Sequence, residues 1–89
     1  MTSKEYIIDE LNRLAKKIQY IRVRYQFDQI SSMHIIEIMP DDVYRNDPVY
    51  LEWEDGLFGR FFKKFPTENL CFVSDKSYIK VNNPIFIKE

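Results

Sequence analysis

The stretch 47-DPVYLEWEDGLFGRFFKKF-65 decides how this chain folds. At 3.6 residues per turn, Tyr50, Trp53, Leu57, Phe61 and Phe65 fall on one stripe, and Phe58 and Phe62 widen it. Asp47 stands where an N-cap belongs, and Pro48 takes the first helical position, where its missing N–H costs nothing. Glu52, Glu54 and Asp55 come early and Arg60, Lys63 and Lys64 late, in line with the helix dipole, and Pro66 follows the last turn. The spacing predicts a helix over 48–64 whose aromatic stripe needs a sheet to cover it. Gly56 and Gly59, the two glycines of the chain, fall inside that helix on its polar side, at about 1 kcal/mol each relative to alanine. They imply either a kink or the close approach of another backbone.

On the N-terminal side of this helix, Thr2 and Glu5 have the spacing of a capping box, and Ile7, Leu11, Leu14 and Ile18 form a stripe, so a first helix is expected over 3–18. The period then changes. Ile21, Val23, Tyr25 and Phe27 alternate with Tyr20, Arg22, Arg24, Gln26 and Asp28, and Met33 to Met39 forms a second strand after a short polar link, which together predict an antiparallel hairpin. With Glu37 turned to solvent, Ile36, Ile38 and His34 face inward, while Met33, Ile35 and Met39 share the outer face. Val43 to Asn46 follows Pro40 as one helical turn. Beyond the central helix, Leu70 to Val73 is a continuous apolar run of the kind found in a buried strand, placed parallel to the second strand by a right-handed crossover. A last short strand is expected within 77–81 or 85–87. The resulting order, αββαββ, predicts an α+β two-layer sandwich, with two helices on one face of a mostly antiparallel sheet: a circularly permuted ferredoxin-like arrangement. The expected core comprises Ile7, Leu11, Leu14, Ile18, Ile21, Val23, Phe27, Ile36, Ile38, Trp53, Leu57, Phe61, Leu70 and Phe72.

Eighty-nine residues suit a single domain over 1–89 with a modest stability margin. Hydrophobic residues at 45% and aromatics at 16% supply a core and argue against disorder. A formal net charge of −1 provides no global field to attract nucleic acid or an anionic surface, so such binding would need a local patch. The lone Cys71 has no partner for an internal disulfide, the N-terminus lacks a signal-peptide apolar run, and nothing approaches the ~20 apolar residues of a membrane span. A cytoplasmic protein without a membrane segment is the expectation.

Chemistry-bearing residues are few. A Cys71–His34 nucleophilic pair is formally available, but Cys71 lies in an apolar run away from cations, where a thiol is inert, and both residues read as structural. One histidine and one cysteine do not make a typical zinc site. The acids Asp41, Asp42, Asp47, Glu52, Glu54 and Asp55 lack the spacing of a calcium loop and read as an acidic helix start. Gly56-Leu57-Phe58-Gly59 has the GxxG spacing of a KH loop, yet Leu57 and Phe58 belong to the apolar stripe. With no nucleophile, base and orienting group at recognisable spacing, neither enzymatic activity nor a cofactor or metal is expected.

The outer face of the hairpin is the more suggestive surface. It brings Tyr20, Arg22 and Arg24 against Ile35, Glu37 and Met39, and tyrosine, arginine and methionine are enriched in interfaces. These six residues are the expected partner-binding set of a non-enzymatic interaction domain of adaptor, inhibitor or immunity type, binding another protein or a second copy. The alternative is a nucleic-acid module, with bases stacked on Tyr20 and phosphates on Arg22 and Arg24, which Glu37 and the acidic run oppose. A purely structural reading is equally simple: a cross-strand Arg–Glu pair among solvated aliphatics.

Tyr50-Leu51-Glu52-Trp53-Glu54, the segment Phe65-Pro66-Thr67-Glu68-Asn69-Leu70-Cys71-Phe72-Val73-Ser74-Asp75 and the hairpin before them resemble small uncharacterised bacterial α+β proteins of about this length. The similarity runs over most of the chain and departs at the paired glycines. It implies a compact cytoplasmic α+β domain and brings no activity, cofactor or functional residue with it.

Overall fold

Both long helices begin at the residues that cap them. Thr2 Oγ1 accepts the Glu5 backbone N–H at 3.1 Å while Glu5 Oε1 accepts that of Thr2 at 2.8 Å, a complete capping box. Asp47 Oδ1 accepts from Val49 N–H at 2.9 Å and Tyr50 N–H at 3.1 Å, with Pro48 next. The computed structural model describes residues 1–89. Along it run α1 (Ser3–Lys17), β1 (Arg22–Asp28), β2 (Met33–Met39), α2 (Asp41–Asn46), α3 (Pro48–Lys64), β3 (Asn69–Ser74) and β4 (Phe86–Lys88).

This is an α+β protein with three helices and a four-stranded mixed open sheet in the order β3-β2-β1-β4. β1 is antiparallel to β2 and to β4, and β2 is parallel to β3. The permuted ferredoxin-like arrangement is not matched. That fold splits its helix-connected strands around a third strand, whereas here β2 and β3, joined through α2 and α3, are direct neighbours and β4 lies at the far edge.

The helices cover one face. Ile7, Leu11 and Leu14 of α1 and Trp53, Leu57 and Phe61 of α3 close over Val23, Tyr25, Ile36, Ile38, Leu70 and Phe72. Phe27, expected in the core, is half-buried at the rim, with Lys4 Nζ 5.0 Å above its ring. Tyr25 and Tyr50 take fuller core places, and each hydroxyl finds an acceptor there, His34 Nδ1 at 2.6 Å and Glu54 Oε1 at 2.8 Å. Trp53 buries its indole N–H without one.

The opposite face is not open as expected. β3 and β4 occupy opposite edges, so the connection 75–85 must cross the whole sheet, and the helices already occupy the inner side. It crosses the outer face. Asn82 and Asn83 N–H donate to Gln26 Oε1 at 2.8 and 2.9 Å, Arg24 Nη2 donates to the Val81 carbonyl, and Ile85 N–H reaches the Tyr25 carbonyl at 2.8 Å. Val81, 1% exposed, is the apolar anchor of this strap, and the outward residues Val73 and Glu37 are buried with it.

Candidate functional site

The six residues expected to bind a partner do not form one free surface. Glu37, assigned to solvent by alternation, is 3% exposed, because the strap supplies cover that no strand pattern encodes. Arg24 lies directly opposite it in the register, with Nε 3.0 Å from Glu37 Oε1. That N–H does not point along the line to the carboxylate, so the contact is an ion pair without hydrogen-bond geometry. Ile35 and Met39 are half-buried, and Arg22 is exposed. Tyr20 precedes β1 altogether: its ring is exposed, and its hydroxyl donates to Asp47 Oδ2 at 2.9 Å, tying the strand entry to the cap of α3. The structural alternative, an Arg–Glu cross-strand pair, is therefore present on this face.

The densest polar chemistry lies on the other side of the sheet. His34, 0% exposed, has Nδ1 2.6 Å from the Tyr25 hydroxyl and Nε2 2.6 Å from Glu68 Oε1, and Ser3 Oγ donates to the same oxygen at 2.7 Å. Burial, opposed by the Glu68 contact, holds the imidazole below its ordinary pKa. For Glu68, burial works the other way, but the hydrogen bonds from His34 and Ser3 outweigh it and keep the carboxyl below its usual range. A neutral imidazole satisfies every member in one direction: Tyr25 O–H donates to Nδ1, and Nε2–H donates to Glu68. The cluster joins the start of α1, the hairpin and the turn after α3. Phe27 and Phe61 wall the ring at centroid separations of 4.5 and 5.3 Å, leaving His34 no path to solvent.

Cys71 projects from the outer face, opposite Ile35, while His34 projects inward, so the two are separated by the sheet. Burial pushes the thiol pKa up. The first two acids of the run are used locally: Asp41 accepts from Ser74 Oγ at 2.5 Å and Arg45 Nε at 2.8 Å, and Asp42 accepts from Asn46 at 2.9 Å. No three histidine, cysteine or acidic side chains converge in a metal-binding group.

A further surface, which a wide apolar stripe does not set apart from the core, is the flank of α3 turned away from α1. Phe58 and Phe62, at the edge of the apolar stripe, are 37% and 36% exposed and stack on each other at 5.7 Å, and Leu51, two turns before Phe58, is 39% exposed. Phe58 also touches Phe72, at 5.3 Å, so this flank overhangs the β3 edge of the sheet. The edge itself is guarded: Tyr44 O–H donates to the Phe72 carbonyl at 2.9 Å and Ser77 Oγ accepts the Ser74 N–H at 3.0 Å, which removes groups another strand would need. The glycines now separate in meaning. A Cβ at Gly56 would stand 2.8 Å from Arg60 Nη1, so Gly56 makes room for Arg60 to reach Glu10 Oε1 at 2.9 Å and so link α3 to α1. A Cβ at Gly59 would meet nothing within 4 Å.

No family model, curated protein or solved structure matches the chain. No helix is long and apolar enough to cross a membrane.

Proposed function

We propose that the chain is a non-enzymatic protein-interaction domain, working without cofactor in a bacterial cytoplasm, whose contact surface is the exposed flank of α3. The observation that carries this reading is the triplet Leu51, Phe58 and Phe62: large apolar side chains left in contact with water on one flank of a helix whose inward side, Tyr50, Trp53, Leu57 and Phe61, is buried. Aromatic clusters of this kind are enriched at the centres of interfaces and scarce on inert surfaces. Of the hairpin set, Tyr20, Arg24 and Glu37 are engaged within the chain, which leaves Arg22 as the one free cation for a partner or a phosphate and weakens the nucleic-acid alternative.

The test is capture from a native lysate, with and without nuclease, by three baits checked for folding by circular dichroism: the parent, Phe58→Asp with Phe62→Asp, and Arg24→Glu with Ile35→Asp. Partners should be lost only from the helix variant and should survive nuclease and raised salt. Loss from the hairpin variant alone would return the surface to β1 and β2. Capture abolished by nuclease would favour nucleic acid.

A further inference from the structure

From the same flank of α3 we infer its occupant: a second copy of this chain, packed helix to helix about a two-fold axis near Phe58, with the two α3 helices antiparallel. This rests on the reading of α3 as a contact surface and adds the partner to it. Charge is the first argument. On the side of the flank that includes Gly59, Glu52 and Asp55 precede Phe58 and Lys63 follows it; Glu52 and Lys63 lie six residues before and five after, and none of the three makes an ion pair within the chain. An antiparallel two-fold through Phe58 sets Glu52 and Asp55 of one copy beside Lys63 of the other, and repeats the pairing at the symmetric end. A parallel pairing would instead set acid against acid.

Gly59 is the second argument. It lies on that same side, next to Phe58, in open space, and nothing inside the fold requires it, although a glycine in mid-helix is unfavourable. An approaching helix accounts for it, because the missing side chain lets the partner's backbone come close at the centre of the contact. The guarded edge of β3 is the third: with the Phe72 carbonyl and the Ser74 N–H already used, sheet extension is blocked there while helix contact is free. One helix pair is a small interface, so the association should be weak, with a dissociation constant on the order of micromolar or above.

Sedimentation equilibrium across a concentration series tests this with the full chain. The parent should pass from the 10.8 kDa monomer to a dimer. Glu52→Lys with Asp55→Lys, and separately Lys63→Glu, should each stay monomeric alone, since each puts like charges face to face, and an equimolar mixture of the two should dimerise. Gly59→Ala should weaken the parent dimer by about tenfold while raising the melting temperature, an opposition that a purely structural glycine would not show. A parent that stays monomeric at millimolar concentration, charge variants that dimerise as the parent does, or a mixture that fails to recover the dimer would overturn the pairing. If the parent is monomeric but still captures a lysate protein through Phe58 and Phe62, self-pairing falls and the interaction reading stands.

Discussion

On the inner face of the sheet, Ile36, Ile38 and Phe72 lie under two amphipathic helices; on the outer face, Glu37 and Val73 lie under residues 75–85, which have no regular structure. The inner closure is made of interlocking apolar side chains, each worth a few kcal/mol when removed. Few side chains make the outer one: Val81 is its single fully buried anchor, and backbone groups bonded to Arg24 and Gln26 hold the rest. A face covered by side chains of one period resists water through area. A face covered by a strap depends on a few polar contacts and on the one charge pair beneath them.

That contrast breaks most directly at the core. Phe61→Ala or Trp53→Ala should cost ~3–5 kcal/mol in urea denaturation, enough to unfold a domain this small, whereas Val81→Ala should cost about 2 kcal/mol. Equal costs would mean that the strap is as integral as the helices. Next comes the charge pair. Arg24→Ala strands Glu37 in a covered site and should cost about 2 kcal/mol, below the value for a fully buried pair because Arg24 is partly solvated, while Arg24→Met with Glu37→Leu should restore most of that loss. If the single variant is neutral, water reaches Glu37 and the strap is not a seal.

Smaller changes sharpen the comparison. Gly59→Ala should stabilise the monomer by about 0.5–1 kcal/mol in thermal melts, and Gly56→Ala by less, because its methyl group pushes Arg60 off its path to Glu10. The least effect near neutrality belongs to the His34 cluster. Its imidazole pKa lies below the ordinary 6.5, so the unfolded chain takes up that proton first and stability falls as the pH drops through 6.5 toward the folded value. Glu68, held below 4.5, adds a further loss once the pH passes below that value. Melts at pH 8, 6.5 and 5 should show the decline, and His34→Gln should flatten its upper part. An unchanged slope would place the titration elsewhere.

Features written as periodicity or as caps were legible in the chain. The stripe from Tyr50 to Phe61, the Thr2 and Asp47 caps and the antiparallel hairpin all follow from local spacing, although the hairpin's register does not. Two features were not. The place of β4 depends on a connection whose hold on the sheet comes from main-chain groups of Val81, Asn82 and Asn83, and backbone hydrogen bonds leave no residue-type signal. The sideways turn of Phe58 and Phe62 was hidden because a wide apolar stripe reads as a wide core. The cue was present all the same: both residues sit roughly a quarter turn or more past Leu57 and Phe61, on the side away from Arg60.

The strap also fixes an order in time. Residues 75–89 leave the ribosome after the hairpin, both long helices and β3, which can pack before them. Until then Glu37 and Arg24 face water on a bare sheet, and the pair is desolvated only when Val81 settles and β4 adds its short edge to β1. Without residues 75–89 the sheet would lose Val81 and β4 together, and Arg24 and Glu37 would stand uncovered on its outer face.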